Sequence, residues 1–201
     1  MMEYGEIVKS LCEGAASRRR ETLHFIEMQW SEEEQERFAD YAATLSADIC
    51  LELCSVLAQA RSPRLAEILR RYAVADEPLL RERALAALQK IPDAVRHDAC
   101  AALLQARDPA VRQAACRMLA TSGSRAAGEA LRCCLDDSDF GVVTEAMRAL
   151  RRLRYTPSAE DTARLLGHQR SEIRKAAIEM AVELLSGAAL PLERLRALLD
   201  S

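Results

Sequence analysis

The chain has 201 residues, 50% hydrophobic and 29% charged, with a net charge of −3. That supports a sizeable core, and the charge is too balanced for the chain as a whole to bind polyanions. Ala (36) and Leu (28) dominate while Gly (7) and Pro (6) are few, which excludes collagen-like, disordered and small disulfide-stapled classes and points to helix throughout.

The opening Met1-Met2-Glu3-Tyr4-Gly5-Glu6 lacks a basic stretch followed by an apolar one, so no secretory leader is expected. No run approaches the roughly 18 apolar residues of a membrane span. Residues 1–60 hold five of the eight aromatics: Tyr4, Phe25, Trp30, Phe38 and Tyr41. Leu23, Ile26 and Trp30 line one face of a predicted helix. Ser31-Glu32-Glu33-Glu34 is a capping box that opens another, running to about Leu45. Ile49, Leu53 and Leu57 mark a third, apolar nearly all round. Residues 1–60 are expected to form three or four helices that cap one end of the fold.

Beyond residue 60 the sequence repeats every 31 residues without insertion. Leu80, Val111, Val142 and Ile173 form an aliphatic column; Ala84, Ala115, Ala146 and Ala177 form an alanine column; Leu88, Leu119, Leu150 and Ala181 form a third. Columns four apart share one face of a helix, and the constant alanine lets neighbouring helices approach closely. A second helix is predicted ahead of each, at about 64–73, 94–105, 125–135 and 158–166. Turns such as Asp76-Glu77-Pro78 and Arg107-Asp108-Pro109 carry helix-start signals. Each unit is a helical hairpin that buries its apolar face only by stacking on its neighbours. The expected organisation is an N-terminal helical cap over 1–60 and a repeat array over 61–201. Repeats fall at about 62–91, 92–122, 123–154 and 155–186, with a terminal helix at 190–200 opened by Pro191 and faced by Leu192, Leu195 and Leu199.

The segment from Asp108 to Leu119, Asp-Pro-x-Val-Arg-x-x-Ala-x-x-x-Leu, resembles the second helix of a HEAT repeat, and the short units are similar to those of phycobilin lyase subunits. The resemblance covers about residues 62–185 and implies an all-α, right-handed α–α solenoid of about four HEAT-like hairpins. It also implies an Asp–Arg ladder between repeats. Glu77/Arg81 and Asp108/Arg112 fit that ladder. Repeat three keeps Asp139 but has Val143 for Arg, and repeat four keeps Arg174 but has Arg170 at the acid position. The expectation is that the ladder breaks there and that Asp139 and Arg170 either pair differently or face a partner.

Signals for chemistry are sparse. Cys50 and Cys54 lie i, i+4 on one helix, a spacing that can chelate, but two further ligands are lacking and the three His are scattered. Cys116 and Cys134 occupy columns filled elsewhere by aliphatics and read as core. No His-Glu pair of the di-iron type, no Gly-rich phosphate loop and no nucleophile–base set stands out. No metal or other cofactor is expected, and no enzymatic activity. An odd count of seven cysteines in a long helical chain suits reduced thiols in the cytoplasm.

One basic cluster stands out: Arg117, Arg125, Arg132, Arg148, Arg151, Arg152 and Arg154, with Asp136, Asp137 and Asp139 as its expected counter-charges. The reading is a passive adaptor or scaffold that binds another protein carrying an acidic patch. Arg117, Arg148 and Arg152 are the candidate anchors, and Trp30 is an independent second one. The alternatives are a chromophore-lyase-like protein working with a partner subunit, on the resemblance alone, and a nucleic-acid binder. Oligomeric state is not readable from the sequence.

Overall fold

The computed structural model describes residues 3–185 in full, apart from the side chains of 184 and 185. The predicted terminal helix at 190–200 lies outside the described residues. Twelve α-helices and one 3-10 turn follow in chain order, with no strand among the described residues. The helices are α1 (Tyr4–Glu13), α2 (Ala16–Gln29), α3 (Glu32–Ala42), α4 (Ala47–Leu57), α5 (Pro63–Tyr72), α6 (Pro78–Leu88) and α7 (Asp93–Leu103). After these come α8 (Pro109–Leu119), α9 (Arg125–Arg132), the 3-10 turn Cys133–Asp136, α10 (Phe140–Arg152), α11 (Ala159–Leu166) and α12 (Ser171–Leu185). The fold is all-α, of the α-solenoid class. The chain divides into two compact units after Leu103.

The repeat columns are the core. Leu80, Val111, Val142 and Ile173 are buried, as are all four column alanines and Leu88, Leu119, Leu150 and Ala181. Burial of each large aliphatic is worth about 1.5–3 kcal/mol.

In the first unit the period does not stop at residue 60 as the sequence reading expected. The hairpin α3–α4 starts 31 residues ahead of α5–α6, helix for helix. Helix α3 packs on α5, and α4 on α6. Leu53 and Leu57, both buried, stand in the columns of Ala84 and Leu88. Arg71 pairs with Asp40 at 2.7 Å, and the Tyr72 hydroxyl donates to the Ala42 carbonyl at 2.8 Å. Buried Gln35 ties three elements together: its Nε2 donates to the carbonyls of Trp30 (3.2 Å) and Ile26 (3.4 Å), and its Oε1 accepts from Ser62 (2.5 Å). Ahead of this hairpin, α1 and α2 pack on each other and on α4.

In the second unit α8 packs on α10 and α10 on α12. The expected helix 125–135 tightens into the 3-10 turn at Cys133, a common way for a helix to end. Helix α10 ends in a Schellman motif: Tyr155 N–H donates to the Leu150 carbonyl and Arg154 N–H to the Arg151 carbonyl, each at 3.0 Å. The motif places Arg154 at φ 52°, a conformation that costs a side-chain-bearing residue about 1–2 kcal/mol. Arg154→Gly is therefore expected to stabilise the protein by about 1 kcal/mol, a rise in Tm of roughly 2–4 °C. A thermal melt that is unchanged or lower would contradict this.

Candidate functional site

Where the column keeps its arginine, at Arg81, Arg112 and Arg174, the side chain is a clamp within its own repeat. Arg81 Nη1 donates to the Ala75 carbonyl at 2.9 Å. Arg112 Nη1 donates to Ala106 (2.8 Å) and Arg107 (3.0 Å), and Arg174 Nη1 to His168 and Gln169 (both 2.9 Å). The acceptors sit five or six residues upstream, in the turn after the preceding helix, where carbonyls have no helical partner. Val143 cannot clamp, and there Asp137 stands in the column of Ala75, Ala106 and His168. Asp137 instead takes Arg112 in a two-pronged pair, Nε–Oδ2 and Nη2–Oδ1 both at 2.7 Å. The two side chains are 12% and 10% exposed. The carboxylate opposite Arg112 is thus two residues ahead of the ladder column's Asp139.

Neither residue expected to be released by the broken ladder is idle. Asp139 caps α10 through Val142 N–H (3.0 Å) and accepts from Gln113 Nε2 (3.2 Å). The Arg170 guanidinium lies 5.3 Å from the centre of the Phe140 ring, within cation–π range.

The seven-arginine cluster largely resolves into pairs. Arg125 meets Glu129, Arg132 meets buried Asp161 at 2.7 Å, and Arg151 meets Glu179 and Glu183. The acids expected to balance the cluster act elsewhere: Asp136 on Arg164 (2.8 Å) and Asp137 on Arg112. Arg125 pairs one turn away on its own helix, and Arg132 and Arg151 pair with carboxylates 28 to 32 residues on.

The candidate anchors Arg117 and Arg148 do come together. They lie 31 residues apart on α8 and α10 and share one carboxylate, Glu145 Oε2, at 3.7 and 3.6 Å. Their side chains are 50% and 66% exposed, against 18% for Glu145. Arg152 is exposed one helical turn beyond Arg148.

Trp30 is in the other unit and is half-buried. Its ring packs edge-on against Phe38 (5.6 Å) and tilted against Tyr4 (5.8 Å), and Tyr4 also touches Phe38 and Tyr41. Trp30 also lines a groove with His24, Met28, Arg61 and Arg64.

Three buried thiols, Cys54, Cys100 and Cys116, are held in the neutral form. Burial pushes Cys54 and Cys100 up to about 12. A hydrogen bond to Cys134, with burial, raises Cys116. Cys50 and Cys54 both face the core of α4, and no three His, Cys, Asp or Glu side chains gather as a metal site among the described residues. Nor, among these residues, is any helix long and apolar enough to cross a membrane.

Comparisons with known proteins bear on the fold. Residues 97–183 match the family model for HEAT repeats. The Escherichia coli protein YibA is similar in fold, with a TM-score of 0.51 and 16% identity over 92% of this chain and 74% of that one. A designed armadillo repeat protein, solved with the peptide (KR)4, aligns at a TM-score of 0.47 and 13% identity over 91% of this chain and 99% of that one. An engineered protein aligns at a TM-score of 0.47 and 19% identity over 95% and 100%. No curated protein matches.

Proposed function

We infer that this protein is a non-catalytic protein-interaction module, and that Arg117, Arg148 and Arg152 form its contact for an acidic patch on a partner. The observation that carries this reading is the row itself. Two exposed guanidiniums from consecutive second helices share a single carboxylate, with a third cation one turn on. Glu145 offsets one of the two charges it contacts, which leaves positive charge on the surface to steer an acidic partner and fix its register. Stacked-hairpin folds commonly serve as such surfaces. Trp30, with exposed Met28 beside it, is a second and independent anchor. Seven cysteines, five of them buried, suit a reducing compartment, the cytoplasm.

The test is a pull-down from native lysate with wild-type bait beside an Arg117→Glu/Arg148→Glu/Arg152→Glu bait. A stoichiometric protein retained by the wild type and lost with the variant is the expected result. A partner held equally by both baits would remove the arginine row from the site. Nucleic acid or a coloured small molecule in place of a protein would overturn the adaptor reading.

A further inference from the structure

In the first unit three adjoining hollows along α2, α4 and α6 together make up a groove. Its middle section shares Arg20, Leu23, Ser55 and Gln59 with one end, and Ser55, Ala58 and Lys90 with the other. Four exposed cations line it: Arg20, Arg61, Arg83 and Lys90. None of the four forms an ion pair among the described residues, and of the four only Arg20 makes a side-chain hydrogen bond there, from Nε to the Ala16 carbonyl at 3.3 Å. That sets them apart from Arg64, Arg70 and Arg71 in the same unit, which are paired with Glu32, Glu67 and Asp40. A fifth cation in the lining, Arg19, is committed to the carbonyls of Gly14 (2.7 Å) and Cys12 (2.5 Å). Two acids share the groove. Glu27 already accepts the Arg61 backbone N–H at 2.5 Å, and Glu52 lies at the far end.

We propose that this groove binds an acidic peptide segment of a partner protein. Unpaired guanidiniums and an ammonium along one channel complement a run of carboxylates and keep their charge available for it. The floor residues Ser55 and Ala58 are small and let an extended backbone come close. No Phe, Tyr or Trp lines the channel, so it offers no aromatic platform for bases, and this favours a peptide over single-stranded nucleic acid. The site shares no residue with the arginine row of the second unit, so each reading stands or falls alone.

The experiment is fluorescence anisotropy of the full chain with a fluorescein-labelled peptide of about ten residues alternating Glu and Ala. The expected result is binding that weakens as salt rises. It falls at least about tenfold in Arg20→Gln/Arg61→Gln/Arg83→Gln/Lys90→Gln. Ser55→Trp, which fills the floor and keeps every charge, also weakens it. Circular dichroism of each variant checks the fold; if the fourfold variant loses helicity, Ser55→Trp decides. No peptide binding by the wild type, equal binding by the fourfold variant or by Ser55→Trp, or tighter binding of a single-stranded DNA of about ten nucleotides would overturn the proposal.

Discussion

Arg112→Met is expected to destabilise the protein by about 3 kcal/mol, because it strands a buried carboxylate and removes a donor from two carbonyls. The pair with Asp137 is shielded from water on both sides, and the same guanidinium clamps Ala106 and Arg107. Asp137 would keep only the Asp139 backbone N–H, at 2.8 Å. Arg112→Met/Asp137→Leu is expected to recover part of the loss, since removing both charges removes the desolvation cost as well. The pair also carries a pH signature. Burial works to raise Asp137, but the Arg112 hydrogen bond, the Asp139 N–H and the Arg112 charge outweigh it and hold the carboxyl below its ordinary range. A carboxyl lowered in the folded state contributes stability above its unfolded pKa and loses it as pH falls through the folded one. The stability gap between wild type and Asp137→Asn should therefore be full at neutral pH and narrow below about pH 4. Urea unfolding of each variant at neutral and acid pH measures both effects. A gap that does not depend on pH would contradict the assignment.

Gly128→Ala is expected to cost about 2 kcal/mol, although alanine is the better helix former. A Cβ on Gly128 would sit 2.2 Å from Tyr155 Cδ2 and 2.5 Å from Cγ. Those are ring atoms close to the backbone, and they cannot swing aside as the tip of a flexible chain does. Tyr155 is held there by the Schellman turn at the end of α10. Gly167→Ala is the control, since its Cβ would meet nothing closer than 3.5 Å, and it should be neutral or slightly stabilising. Equal melting temperatures for the two variants would show that the Gly128–Tyr155 contact is not tight.

The array is legible from residue 62 onward because three columns recur without insertion and each does one physical job. The hairpin at 32–57 escapes that pattern because its markers are altered. Leu53 stands where later repeats have Ala, and Ala47 stands where Pro78 and Pro109 open their helices. Constant spacing with changed residue types reads as a different region until the backbone is seen. The clamp is half legible: the arginines recur in the sequence, but their acceptors are backbone carbonyls that no side chain marks. The Asp137 pair is hidden among three acids within four positions, of which spacing favours the wrong one. Arg154 in a left-handed turn gives no sequence signal, because Gly or Asn is the usual occupant.

For the candidate site, the sequence supplies Arg117 and Arg148 through their shared column but does not show that Glu145 sits between them. It also groups Arg125, Arg132 and Arg151 with them, though each has its own acid. The groove of the first unit is not legible at all, because its four cations come from separate helices and turns with no common period.

The most direct test of the interaction reading is backbone hydrogen exchange on the protein alone and in complex with the partner captured by the wild-type bait. Slowed exchange over residues 109–119 and 140–152, absent in the Arg117→Glu/Arg148→Glu/Arg152→Glu variant, is the predicted result. A bound partner that leaves exchange in both segments unchanged would contradict it.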